Sequence, residues 1–86
     1  MTEVKRITHD AKTLLRRYDA AEISILVDEI NLLVMEHLED TLDIVISCIP
    51  GSEGLLAGLG FNVPDCDAQS MLLDAKPGEV VYRFKR

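Results

Sequence analysis

Four side chains in this 86-residue chain are soft enough to hold a metal or to pair as nucleophile and base: His9, His37, Cys48 and Cys66. No two stand at the short spacing of a zinc-binding pair such as CxxC or HxxxH, so the pattern predicts no metal site. A catalytic cysteine needs a histidine base and an orienting group within reach. His37 and Cys48 lie about three turns apart if both are helical, too far to touch along one helix. Asp65-Cys66-Asp67 lacks the length and spacing of a calcium loop. The glycines of PGSEGLLAGLG lack the Lys and hydroxyl that a Walker loop places on phosphates, and the dinucleotide fingerprint is missing too. They read as helix caps and a tight turn. Carboxylates are plentiful, but solvated acids are not a tuned catalytic pair. The expectation is a protein that is not an enzyme and uses no cofactor.

Charge gives the stronger signal. All nine Lys and Arg fall within residues 1–17 or 76–86, while residues 18–75 hold twelve of the fifteen acids. The blocks carry +3, −12 and +3, which makes the net charge of −6. Segregation of this kind sets up a field that can draw an oppositely charged partner.

The elements that must position these charges are read from periodicity. From Asp19 to Ile49 no Gly or Pro interrupts the chain. Asp19 and Glu22 form a capping-box pair at its start. Ile23, Leu26, Val27, Ile30, Leu33, Val34, Leu38, Leu42, Val45 and Ile49 then recur at helical spacing. Glu22, Glu29, Glu36, Asp40 and Asp43 recur on the other side. The spacing predicts one long amphipathic helix, a rod of about 45 Å at 1.5 Å per residue. Its last third, TLDIVISCI, is rich in β-branched residues and also alternates as a strand would. The alternative is therefore an α+β domain with a strand at 42–49.

Before this rod, Val4, Ile7, Ala11, Leu14 and Tyr18 alternate at four and three residues, which predicts an N-terminal helix. Thr8 is an alternative cap, with TEVKRI extended before it. After Pro50-Gly51, Ser52 can cap a short glycine-rich helix through Leu59, with Gly60 at a left-handed exit. CDAQSMLLDA fits a short helix or the first arm of a hairpin. Lys76-Pro-Gly-Glu reads as a turn, and Val80, Tyr82 and Phe84 alternate as a strand. Residues 70–74 are its nearest strand partner, with 42–49 and 3–7 as rivals. The predicted fold is one domain, mainly α with a small β element: two helices, a short third one and a C-terminal β-hairpin or strand.

The leading expectation is an acidic interaction module that binds, and inhibits or regulates, a basic nucleic-acid-binding protein. Glu22, Glu29, Glu36, Asp40 and Asp43 would imitate a row of phosphates. The alternative is a homo-oligomeric nucleic-acid-binding regulator that uses the basic first helix and the tail RFKR. A long rod with one small neighbour cannot cover its own apolar residues, so the chain is expected to form a homodimer or higher assembly, with Ile25 and Leu32 at the interface. Leu55, Leu56, Leu59, Met71 and Leu72 can cover only part of the rod. MTEVKRITHD shows no signal-peptide pattern, and no stretch reaches the ~18 apolar residues of a membrane span. Two isolated cysteines suit a reducing compartment, so a cytoplasmic protein is expected.

Overall fold

A computed structural model describes residues 4–71 and 76–86. Strand β1 (Lys5–Asp10) leads through a loop to helix α1 (Ala20–His37), followed by β2 (Thr41–Ser47), a single turn α2 (Glu53–Leu56), β3 (Asp67–Ser70) and β4 (Glu79–Lys85). The strands form one mixed sheet in the order β1-β2-β4-β3. β1 runs parallel to β2, while β4 runs antiparallel to both β2 and β3.

The mainly-α expectation is therefore wrong, and the molecule is not predominantly helical. The rod divides at Leu38. α1 keeps the N-terminus read from the sequence, with the Asp19 carboxylate accepting the Glu22 amide at 2.9 Å. It ends without Gly or Pro: the Leu38 amide still bonds to the Val34 carbonyl, but Leu38 itself has extended ψ. What takes over is the β-branched run Thr41, Ile44, Val45 and Ile46, which gains a full antiparallel ladder with β4 from Thr41↔Lys85 to Ser47↔Glu79. The alternative strand at 42–49 thus marks the observed one closely. β2 is buried on both faces, so its apolar residues run nearly continuous and imitate helical spacing.

The N-terminal helix is also replaced by a strand. β1 pairs Ile7 with Ile44 and Thr8 with Val45. Leu14 and Leu15 instead sit in a tight turn, where the Leu15 amide bonds to the Ala11 carbonyl at 2.8 Å. The third helix is only four residues long, and the Ser52 side chain makes no bond to its amides. Gly60 is not left-handed; among the glycines with positive φ are Gly51 and Gly78. Of the predicted partners for the C-terminal strand, all three contribute to the sheet, and of the described residues 70 and 71 Ser70 lies in β3. Residues 72–74, Leu72 included, lie outside the described residues.

α1 packs on one face of the sheet. Leu26, Ile30 and Val34, spaced by four, are fully buried against Leu42, Ile44, Ile46, Val80, Tyr82 and Phe84. Burying side chains of this size stabilises by about 1.5–3 kcal/mol each. Phe61 closes the same face over β4, edge-on to Tyr82 and Phe84 at 4.8 and 5.2 Å. The rod that could not cover itself does not exist, because the sheet covers the helix within one chain.

Two polar braces hold the second half of the chain. The Glu53 carboxylate accepts the Gly51 and Gly78 amides, tying α2 to the turn before β4. Those amides hold its carboxyl below the usual range, with Gly78 the larger cause. Gly78 is required there: its φ is +82, and a Cβ would approach the Cys48 carbonyl to 3.2 Å. The Tyr82 hydroxyl donates to the Leu56 carbonyl and accepts the Leu59 amide, and burial pushes its pKa up.

Candidate functional site

The five carboxylates expected to form one acidic stripe are divided among four environments. Asp43 is the furthest displaced. It projects from β2 on the sheet face opposite α1, with its side chain 3% exposed. There it receives Arg83 through two bonds, at 2.8 and 3.0 Å, and Arg6 approaches to 3.6 Å. The strand register sets this up, since Arg6, Asp43, Arg83 and Gln69 stand side by side in one row across all four strands. Hydrogen bonding from Arg83 holds the Asp43 carboxyl below its ordinary value, and outweighs burial. The two basic blocks of the sequence meet around this one acid.

Glu22 serves the helix start. The chain turns through Tyr18 at φ +55, and the Glu22 carboxylate accepts the amides of Arg16 and Arg17 at 3.2 and 2.7 Å. These amides, Arg17 first, lower its pKa. Asp40 sits exposed in the turn between α1 and β2, where its carbonyl accepts the Arg86 amide. Glu29 and Glu36 are the two that stay on α1 away from the core. Glu29 lies 2.8 Å from His9 Nε2, and Glu36 lies 3.9 Å from His37 Nε2. Lys5 Nζ reaches His37 Nδ1 at 3.2 Å.

Ile25 and Leu32 are on α1 as well, seven residues apart and so on one face. That face is turned away from the sheet. Ile25 is 48% exposed, Leu32 56% and Met35 58%, in a helix whose other large aliphatics are buried or half-buried. Asp28, Glu29 and Glu36 are interleaved with them at three- and four-residue spacings. The outer face of α1 is thus an apolar centre with an acidic border. Asp28 and Met35 were not picked out from the sequence. The available signal was their offset from Leu32 by four and three residues, which becomes informative only once the inner face is known.

Among the described residues, the two cysteines and the two histidines do not come together. Cys48 is buried beneath the helix, Cys66 is half-buried elsewhere with its thiol pushed up by burial, and both are free thiols. His9 lies on β1 and His37 ends α1, and neither approaches a cysteine within hydrogen-bond reach among the described residues. No group of three or more His, Cys, Asp or Glu among the described residues is placed to hold a metal ion. No described helix is long and apolar enough to cross a membrane. Set against known protein families, curated proteins and solved structures, the chain matches none of them.

Proposed function

We propose that this protein is a non-enzymatic interaction module that binds a basic protein through the outer face of α1 and so restrains or regulates it. One observation carries the reading: Ile25, Leu32 and Met35 stand half exposed in a row on a helix that bears Asp28, Glu29 and Glu36 beside them and no Lys or Arg. An apolar centre supplies affinity, and a charged rim supplies partner choice and association rate. Asp43 takes no part, being occupied by Arg83 and Arg6. The same pairing weakens the case for nucleic-acid binding, since two of the cations that would meet phosphates already face a buried carboxylate. Free thiols at Cys48 and Cys66 support a cytoplasmic setting.

Affinity capture from host extract tests the proposal, with wild type, Leu32→Asp and Glu36→Lys immobilised side by side. Wild type should retain a basic protein at low salt and release it at high salt, and both variants should fail to retain it. Capture that ignores both substitutions, or ignores salt, contradicts the reading.

A further inference from the structure

β1 is an edge strand: it pairs with β2 on one side and with no described strand on the other. The Ala11 amide bonds to the Ser47 carbonyl, which fixes the phase of the ladder. Backbone groups alternate sides along a strand, so Lys5, Ile7 and His9 turn theirs to β2, while Arg6, Thr8 and Asp10 turn theirs outward. An open row of this kind is a template for another strand unless it is blunted. The opposite edge offers less, because β3 has only four residues.

The side chains of β1 say which strand fits. Arg6, Thr8 and Asp10 share the sheet face opposite α1. Arg6 has Asp43 on its inner side and keeps its side chain 55% exposed. Asp10, two residues beyond Thr8, is exposed, and its Oδ1 is fixed by the Lys12 amide at 2.8 Å. We propose that the edge of β1 is taken up by β1 of a second copy of this chain, antiparallel, with Thr8 opposite the partner's Thr8. The two-fold axis then stands normal to the sheet and keeps both α1 helices on the same side. In this register Arg6 meets the partner's Asp10 on both sides of the axis. The outward backbone groups form about six main-chain hydrogen bonds. The charge row becomes strictly alternating: the partner's Asp10, then Arg6, Asp43 and Arg83. A register that puts Ile7 opposite itself leaves Arg6 facing the partner's Thr8, and loses that alternation. The outer face of α1 stays free, so this inference goes beyond the proposed function and does not depend on it.

Sedimentation equilibrium on wild type and three variants provides the test. Wild type should be a dimer at micromolar concentration. Arg6→Glu and Asp10→Lys each place like charges opposite one another twice, and each should dissociate about tenfold or more readily. Mixed in equal amounts, these two variants should recover a heterodimer, since each introduced charge then meets its opposite. Thr8→Pro removes an outward amide that β2 does not use, which an edge strand tolerates, and should give a folded monomer by circular dichroism. A wild-type monomer at high micromolar concentration overturns the proposal and leaves the edge to some other strand. So does a dimer that survives Thr8→Pro, or a mixture that fails to recover association while both variants remain folded.

Discussion

The two outer surfaces of the molecule treat charge in opposite ways. On the sheet face away from α1, Arg6 and Arg83 flank Asp43 in the central row, and in the next row on that face Lys85 stands opposite Asp67. On the outer face of α1, Asp28, Glu29 and Glu36 surround three exposed apolar side chains, and the described ion-pair partners of the two glutamates are histidines. The first surface is built to hold strands in register. The second leaves both its field and its apolar area available. The lesson is that acid content alone did not locate a binding surface. What distinguishes the surfaces is where the cations went.

Substitutions should separate the two surfaces cleanly. Arg83→Ala leaves the Asp43 carboxylate buried with only Arg6 beside it. Because Arg83 is itself partly exposed, we expect a loss of about 2 kcal/mol, below the range for a fully buried pair, read by urea denaturation. Partner capture should be unaffected once the variant is folded.

Acid should act on the same surface next. The folded-state pKa of Asp43 is lowered, so its contribution to stability is full above its unfolded value of about 3.9, and is lost as pH falls through the lower folded value. Wild type should lose stability below about pH 4, and Asp43→Asn should show a shallower dependence of stability on acid there. A slope unchanged by Asp43→Asn would mean that other carboxylates govern acid unfolding.

On α1 the stability effects should be small. Leu32→Ser removes a half-exposed side chain, and should change stability by no more than about 0.5 kcal/mol while abolishing capture. Glu36→Gln should be smaller still in stability. Its signature is a flatter dependence of binding on salt, without loss of binding.

How much of this was legible in the chain follows from which interactions are local. The Asp19 cap, the inner stripe Leu26, Ile30 and Val34, and the Lys76–Glu79 turn depend on neighbours a few residues away, and the sequence displays them. β1 and β2 depend on each other across 37 positions of register, from Lys5 to Leu42, and nothing local announces that pairing. Ile7 and Ala11 fit a heptad as well as a strand. Asp43 was misplaced for the same reason: seven residues after Glu36 is helical phase, but a strand beginning at Thr41 turns it to the other side of the sheet. Ile25 and Leu32 were recognised as lying off the apolar stripe, and they do face away from the core. Their expected role rested on an uncovered rod, and the sheet removes that reason.

An amide map by NMR puts the central claim to its most direct test. The isotopically labelled protein would be titrated with the captured basic partner, or with a leucine- and arginine-rich amphipathic peptide as surrogate. If the outer face of α1 is the recognition surface, the resonances that move should cluster at Ile25, Asp28, Leu32, Met35 and Glu36, and should return with added salt. Shifts centred on Arg6, Asp43 and Arg83, with α1 unmoved, would contradict it.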